Sequence, residues 1–271
     1  MNNLKGKLAL ITGASRGIGQ YIAKTLAGQD ITTILVARSR TGLLKTQEEI
    51  KALGRTCRIL PWDLTDTSNL KNLVDAAEKF GEIDILVNNA GIENYNNYES
   101  VSFLELTSIV NTNLLAPLEL SRLILPSMVK RGKGHIVTIA SLAGRKGVAY
   151  NSIYSASKAG LVMWTDGLRQ ELAGKGVFIS SICPGFISEA GMFFDGHLDP
   201  PRLLGTSTPQ KVADAVLKAL RQGSSELIVN KGPIRPLLAL AQIMPHLGDK
   251  ILKLFGVPAL ARKRISDFSS S

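Results

Sequence analysis

A tyrosine and a lysine four residues apart, Tyr154 and Lys158, have the types and the spacing of a proton-transfer pair. On a helix such residues share one face, with Cβ atoms about 5–6 Å apart. A lysine ammonium at that distance favours the phenolate form of a tyrosine, whose ordinary pKa is near ~10. We therefore predict that Lys158 lowers the pKa of Tyr154. The tyrosine would then act as a general acid or base that interconverts a hydroxyl and a carbonyl.

A glycine-rich turn lies far upstream of this pair and follows a short apolar run. Its glycines, Gly13, Gly17 and Gly19, let the backbone approach a pyrophosphate at the positive N-terminus of the next helix. Their spacing is Gly-x-x-x-Gly-x-Gly rather than the Gly-x-Gly-x-x-Gly of many dinucleotide-binding proteins. Together, the turn and the tyrosine–lysine pair predict hydride transfer with a dinucleotide cofactor.

The residues after the second apolar run predict which nicotinamide cofactor is used. A carboxylate at this place binds the ribose 2′-hydroxyl, whereas an arginine accommodates a 2′-phosphate. Here the segment reads Ala37-Arg38-Ser39-Arg40 without an acid nearby, and Arg16 lies inside the glycine turn. One charge-assisted hydrogen bond contributes roughly 1.5–3 kcal/mol. Arg16 and Arg38 therefore predict a preference on the order of 10² for NADP(H), with Arg40 in solvent.

The segments that must position these residues alternate between short apolar runs and longer helical patterns. The runs predict strands at residues 8–12, 33–37, 57–61, 85–88, 135–140, 177–183 and 226–229. Helical patterns lie near 17–29, 41–53, 67–80, 103–131, 152–174 and 209–222, with Thr67 or Ser68 capping the third and Pro209 in the first turn of the last. Continuously apolar strands are typical of parallel sheets covered on both faces. The sequence predicts an α/β fold, a Rossmann-like doubly wound parallel sheet of about seven strands with helices on both faces.

Over about residues 5–230 these motifs together resemble the short-chain dehydrogenase/reductase family. The resemblance implies a catalytic set of Asn113, Ser141, Tyr154 and Lys158, with Asn111 as a neighbouring candidate for the asparagine. In the reductive direction Ser141 would hydrogen-bond the carbonyl oxygen, Tyr154 would protonate it, and Asn113 would connect Lys158 to a proton relay through a water. The resemblance also implies these cofactor-binding residues: Gly13, Ser15, Arg16, Gly17, Ile18, Gly19, Arg38, Ser39, Asp63, Leu64, Asn89, Ala90, Gly91, Tyr154, Lys158, Pro184, Gly185 and Ile187.

One segment departs from the family pattern. A threonine shortly after Pro-Gly often contacts the nicotinamide carboxamide, whereas this chain offers Ser188 or Glu189. The region 186–207 mixes glycine, proline and aromatic residues without periodicity, which predicts a mobile flap over the pocket. Its apolar residues favour a lipophilic substrate, namely Met192, Phe193, Phe194 and Leu198.

Composition excludes several other classes of protein. The chain has 271 residues, 45% of them hydrophobic and 20% charged, which is typical of a soluble globular protein. Residues 1–7 are polar and predict no signal peptide, and Cys57 and Cys183 lack a disulfide or metal-ligand spacing. We therefore expect a cytoplasmic protein without a metal. The net charge is +10, but no nucleic-acid-binding motif accompanies it, so nucleic acid is not an expected partner.

The chain is expected to divide into a catalytic domain at residues 1–230 and an apolar, basic C-terminal tail at residues 231–271. The tail carries half of the net charge, and it stands where many family members have a glycine-rich segment that completes a tetramer. Its apolar groups, at 237–244 and 251–257, have basic neighbours. Such a pattern suits a helix at a membrane surface, a lid over an apolar pocket or a contact in a homodimer, and these alternatives stay open.

The predicted function is reversible, NADPH-dependent interconversion of a lipophilic ketone and a secondary alcohol. One alternative is reduction of a 3-oxoacyl group on a carrier protein, which the basic surface favours and the missing glycine-rich C-terminus disfavours. Another alternative is a sensor that binds NADP(H) without turnover. The complete catalytic set argues against the sensor, because a binding protein does not need Tyr154 together with Lys158.

Overall fold

A computed structural model describes residues 3–189, 205–232 and 234–268, with side chains as far as residue 265. Within these ranges seven parallel strands form one sheet in the order β3-β2-β1-β4-β5-β6-β7. The strands are β1 (Leu8–Thr12), β2 (Thr32–Ala37), β3 (Cys57–Pro61), β4 (Ile85–Asn88), β5 (Gly134–Ile139), β6 (Val177–Pro184) and β7 (Glu226–Val229). The predicted doubly wound parallel sheet is therefore confirmed.

Helices connect the strands and cover both faces of the sheet. They are α1 (Gly17–Ala27), α2 (Arg40–Ala52), α3 (Leu70–Glu78), α4 (Phe103–Val110), α5 (Ala116–Arg131), α6 (Ser152–Glu171) and α7 (Pro209–Gln222). On one face Leu26 of α1 and Val216 of α7 are buried in the same apolar cluster. On the other face Leu73 of α3 and Leu120 of α5 belong to a second cluster. Both faces of the strands are thus covered, which explains their continuously apolar sequences.

The direction in which the strands are added reverses at β1. The strand pairs with β2 on one side and with β4 on the other. A crevice opens at the carboxyl ends of the strands where the order reverses in this way. The glycine turn that follows β1 and the segment that follows β4 therefore meet at one edge of the sheet.

Two local predictions were wrong. The helical pattern at 103–131 is interrupted by a π-helical segment, Asn111–Leu115, between α4 and α5. The reason is tertiary, since Asn113 within this segment bonds the backbone of Ile92. The predicted cap at Thr67 or Ser68 was also wrong, because the Asp66 carboxylate accepts from the Ser68 N–H and begins a short 3-10 turn before α3. Pro209 does lie in the first turn of α7.

The tail forms three helices within the described residues, α8 (Ile234–Ile243), α9 (Pro245–Leu254) and α10 (Val257–Phe268). It is tied to the loop after β5, where Lys146 Nζ lies 2.6 Å from an Asp249 carboxylate oxygen. The Gln242 amide also donates to the carbonyl oxygen of Arg145, at 3.1 Å. Met244, the last residue of the apolar group at 237–244, lies between α8 and α9 and is exposed.

The flap predicted at 186–207 is described only at its two ends. Ile187 pairs with Ser207 in a parallel bridge. Met192, Phe193, Phe194 and Leu198 lie outside the described residues. In the part of the chain that the structure describes, no helix is both long enough and apolar enough to cross a membrane.

Candidate active site

A cavity of about 830 Å³ lies at the edge of the sheet where the carboxyl ends of the strands meet. Its walls come from the glycine turn, the ends of β2 to β6, the start of α6 and the tail. The predicted catalytic set and cofactor-binding residues all line this cavity, with the exception of Asn113. The alternative candidates Asn111, Ser188 and Glu189 are not among the lining residues. The structure therefore brings the predicted cofactor residues together with Ser141, Tyr154 and Lys158 of the predicted catalytic set.

The glycine turn after β1 is packed so closely that side chains are excluded from it. Gly13 and Gly17 have positive φ angles, of 66° and 60°, which glycine adopts at little cost. A Cβ on Gly13 would lie 2.8 Å from the Ala90 Cα. The N-cap of α1 is Arg16, whose side chain has only donors and cannot satisfy the first N–H groups of the helix. These features leave the helix N-terminus suited to an anionic ligand such as a pyrophosphate.

Hydrogen bonds fix the glycine turn against the segment after β4. The Thr12 hydroxyl accepts from the backbone N–H groups of Asn89 and Ala90, both at 3.0 Å. The Asn89 amide donates to the carbonyl oxygens of Thr12 and Gly13, at 2.9 and 3.2 Å. Asn89 therefore acts as a clamp that shapes the turn in addition to lining the cavity.

Two arginines predicted to recognise a 2′-phosphate stand at the outer end of the cavity. Arg16 and Arg38 are exposed residues that line it. Ser39 caps α2 by accepting from the Gly42 N–H at 3.1 Å. Arg40, expected in solvent, is exposed and is not among the residues that line the cavity.

Helix α6 carries Tyr154 and Lys158 on one buried face, as their spacing predicts. Lys158 Nζ lies 5.7 Å from the centre of the Tyr154 ring. The same atom donates a hydrogen bond of 2.8 Å to the carbonyl oxygen of Ile139, at the end of β5. Two residues beyond Ile139, the Ser141 hydroxyl accepts from the Ala143 N–H at 3.1 Å. The serine, the tyrosine and the lysine thus all line one part of the cavity.

The predicted lowering of the Tyr154 pKa was wrong for the protein on its own. Burial raises the pKa of Tyr154 well above its ordinary value, the charge of Glu93 raises it further, and a hydrogen bond with Ser141 lowers it. Burial also lowers the pKa of Lys158 to about 8, although the charges of Cys183 and Glu93 act in the opposite direction and raise it. A tyrosine in this state keeps its proton at neutral pH, so it can serve as a proton donor.

Asn113 lies behind the cavity wall and is fully buried. Its side-chain oxygen accepts from the Ile92 N–H, and its amide nitrogen donates to the Ile92 carbonyl oxygen, both at 2.8 Å. The amide nitrogen also donates to the Ser157 hydroxyl at 3.1 Å. These bonds hold the segment after β4 against α6, one turn from Tyr154. The predicted relay role of Asn113 stays a prediction.

A polar group that could not be predicted from the sequence also lines the cavity. Glu93 forms an ion pair of 2.6 Å with Arg264 of α10, and it also accepts from the Asn151 amide at 3.4 Å. The Arg264 guanidinium lies 4.6 Å from the centre of the Tyr95 ring. Arg264 stands in the basic run Arg262-Lys263-Arg264, and no sequence pattern indicates that one member of the run is buried.

The tail supplies an apolar wall next to this polar group. The apolar lining residues from α8 to α10 are Ile234, Leu238, Leu252, Val257, Leu260 and Ala261. In α10 the cavity-lining positions recur every three or four residues, as expected for one face of a helix. The arrangement therefore offers an apolar compartment beside a tyrosine that can donate a proton.

Comparisons with known proteins agree with this arrangement. The family model described as short chain dehydrogenase matches residues 7–195. Ketoacyl reductase HetN from Nostoc sp. is 51% identical over 270 residues, which are 97% of this chain and 94% of that protein. The 3-oxoacyl-[acyl-carrier-protein] reductase FabG of Escherichia coli K12 is 37% identical over 186 residues, 68% of this chain and 75% of its own.

A solved structure extends the agreement to three dimensions. A metagenomic short-chain oxidoreductase in complex with NADP superposes with a TM-score of 0.73 at 30% identity, covering 83% of this chain and 97% of its own. The motifs quoted from the sequence, the sheet order and the family match over residues 7–195 thus lead to the same assignment. This chain belongs to the short-chain dehydrogenase/reductase family and is an oxidoreductase.

Proposed function

We propose that the protein uses NADPH to reduce the carbonyl of a lipophilic substrate to a secondary alcohol. The observation that carries the proposal is the shared cavity, in which the glycine turn, Tyr154 and the apolar wall of the tail meet. A hydride donor held by the turn and a substrate held by the tail would both reach the tyrosine.

The residues fit a phosphorylated dinucleotide. The turn at Gly13, Gly17 and Gly19 would hold the pyrophosphate at the N-terminus of α1. Side chains at Gly13 and Gly19 would collide with the segment after β4, and Gly17 has a positive φ angle, so the turn keeps its backbone open to the ligand. Arg16 and Arg38 would bind the 2′-phosphate, and the NADP-bound relative supports this choice. Asp63 and Leu64 would contact the adenine, and Pro184, Gly185 and Ile187 would border the nicotinamide. NADPH supplies the hydride when it is bound.

Tyr154 would supply the proton. Its pKa is raised by burial and by Glu93, so the phenol is protonated at neutral pH and can donate to the carbonyl oxygen as negative charge develops there. Ser141 would hold that oxygen through its hydroxyl. Lys158, whose pKa of about 8 leaves it mostly charged at pH 7, would stabilise the phenolate that remains after proton transfer.

A 3-oxoacyl thioester is the second candidate substrate, and it is compatible with an apolar compartment. Two relatives have names that describe such a reaction, ketoacyl reductase HetN and FabG. The basic surface, with a net charge of +10, would suit an acidic carrier protein. The thioester and the simple lipophilic ketone differ in the group attached beside the reacting carbonyl.

A substrate panel separates these candidates. NADPH oxidation would be measured with 3-oxoacyl thioesters of increasing chain length, free and on a carrier protein, and with simple ketones of matched length. Specificity constants that rise with chain length support a lipophilic substrate, and a large gain on the carrier supports the second candidate. Equal constants for short and long chains would remove the lipophilic proposal, and tight NADPH binding with no turnover would favour the sensor.

We also propose a homodimer in the cytoplasm, with membrane contact through the tail as the alternative. Phe103 and Leu104 at the start of α4 are 80% and 76% exposed, which offers apolar surface to a second copy. Ile243 and Leu254 are exposed on the tail and have basic neighbours, which suits an anionic bilayer. Sedimentation would measure the subunit number, and flotation with anionic vesicles would test the alternative.

A further inference from the structure

An ion pair joins the last described helix to the segment after β4, inside the proposed substrate compartment. The Arg264 guanidinium lies 2.6 Å from a Glu93 carboxylate oxygen, although the two residues are 171 positions apart in the chain. The Arg264 side chain is 2% exposed and the Glu93 side chain 13%. Removing two charges from water is costly, and apolar side chains would often pack as well. A buried pair at this position therefore invites a functional explanation.

The pair lies close to the proposed proton donor. Glu93 accepts a hydrogen bond from Asn151 at 3.4 Å, and Asn151 is the N-cap residue of α6, three positions before Tyr154. Arg264 also lies over the ring of Tyr95. Burial is the largest influence on the pKa of Tyr154 and raises it, while the charge of Glu93 raises it and the charge of Arg264 lowers it.

Helix α10 presents a single face to the cavity. Val257, Leu260, Ala261 and Arg264 line it, and their spacing of three or four residues places them in one stripe along the helix. The first three are apolar and the fourth carries the charge that meets Glu93. The ion pair therefore fixes the far end of a helix whose remaining contacts with the cavity are apolar.

We propose that Arg264 is a positioning residue that offsets the charge of Glu93 beside Tyr154 and holds α10 against the substrate end of the cavity. The inference rests on the proposed function, because it takes Tyr154 as the group that transfers the proton. The C-terminal tail would thus adjust the proton transfer in addition to forming an apolar wall of the cavity.

Other charged or titratable groups face the same place, from several elements. Lys158 comes from α6, Glu93 and Tyr95 from the segment after β4, and Lys146 from the loop after β5 lines the same cavity. Cys183 of β6 faces Lys158. Among these groups Arg264 alone belongs to the tail. Its loss would leave Glu93 without this ion pair beside the tyrosine.

The pH dependence of alcohol oxidation with NADP⁺ tests the charge effect, because this direction needs Tyr154 as a phenolate. Arg264→Gln should move the rising limb of the pH–rate profile upward by about 1 pH unit, and Glu93→Gln should move it downward. The double variant should have a pH–rate profile close to that of the unmodified protein, since both charges are gone. Arg264→Lys should also stay close, because it keeps the charge. Asp249→Asn is the matched control, as it breaks the tail's pair with Lys146 without changing a charge in the cavity wall.

Hydrogen exchange tests whether Arg264 holds α10 against the cavity, and this measurement needs no turnover. Amide exchange in α10 should become at least tenfold faster in Arg264→Gln and change much less in Asp249→Asn. If the unmodified chain turns over no substrate in either direction, the proposed function fails. Hydrogen exchange alone then decides whether Arg264 holds α10 in place. If turnover is present and all variants share one pH–rate profile, the charge effect is overturned. Equal amide exchange of α10 in Arg264→Gln and in the unmodified chain would overturn the proposal that Arg264 holds this helix in place.

Discussion

Lys158 and Ile139 are joined by a hydrogen bond of 2.8 Å, from the lysine Nζ to the carbonyl oxygen at the end of β5. The bond fixes the ammonium at the floor of the cavity, where only 2% of the residue is exposed. Helix α6 is thereby held to the sheet at the residue that faces Tyr154. The proposed proton donor and its neighbouring charge thus share one rigid support, as a site with a fixed geometry requires.

The burial of Lys158 predicts how stability depends on pH. Burial lowers its pKa to about 8, whereas the unfolded chain has the ordinary value near ~10.4. Between these values the unfolded state binds more protons, so the free energy of unfolding rises with pH. Relative to Lys158→Met, the unmodified protein should gain up to about 3 kcal/mol between pH 7 and pH 10. Urea unfolding of both proteins measures this, and a difference that is constant with pH would contradict the account.

Alanine variants of Arg38 and Arg40 form a matched pair that tests which residue makes the protein prefer NADPH over NADH. Both are exposed, but only Arg38 lines the cavity. Arg38→Ala should weaken NADPH binding by roughly tenfold or more, through the loss of a charge-assisted hydrogen bond, and should leave NADH binding nearly unchanged. Arg40→Ala should affect neither cofactor. Fluorescence titrations with both cofactors measure the four constants, and equal losses for the two variants would mean that Arg38 does not hold the phosphate.

Gly19 is predicted to tolerate no side chain. A Cβ there would lie 2.5 Å from the Asn89 amide nitrogen and closer still to the Gly13 carbonyl oxygen. Gly19→Ala should therefore displace the turn, lower the free energy of unfolding by about 1–3 kcal/mol and weaken NADPH binding. Gly28→Ala is the control, because the nearest atom to its Cβ would be 3.4 Å away. Unaltered NADPH affinity in Gly19→Ala would show that the turn does not cradle the cofactor.

Much of the fold could be predicted because local sequence and tertiary environment agree. The bounds of β1, β3, β4 and β7 match their apolar runs, since strands buried on both faces end where polar or turn residues begin. The break at Asn111–Leu115 could not be predicted from periodicity. It depends on the bonds from Asn113 to Ile92, which exist only once the segment after β4 is in place.

In the candidate site, too, the local features could be predicted from the sequence, whereas the contacts between distant segments could not. Its glycines, Tyr154 and Lys158 could be proposed from short-range spacing, whereas Ser141 is implied by the resemblance to the family. The ion pair of Arg264 with Glu93 could not be predicted, because the tail must first return across the domain. The direction of the Tyr154 pKa was also missed, since burial outweighs the neighbouring charges and is not visible in a spacing of four residues.

We propose that Tyr154 transfers the proton in a cavity whose affinity for NADPH does not depend on the phenol hydroxyl. Tyr154→Phe removes one hydroxyl, and Tyr150→Phe is the matched control, because Tyr150 is near in sequence but is not among the cavity-lining residues. The direct measurement is ketone or thioester turnover together with NADPH affinity in both variants. We predict that Tyr154→Phe loses at least 10²-fold in kcat with NADPH affinity unchanged, while Tyr150→Phe keeps both. Full turnover in Tyr154→Phe would contradict the account.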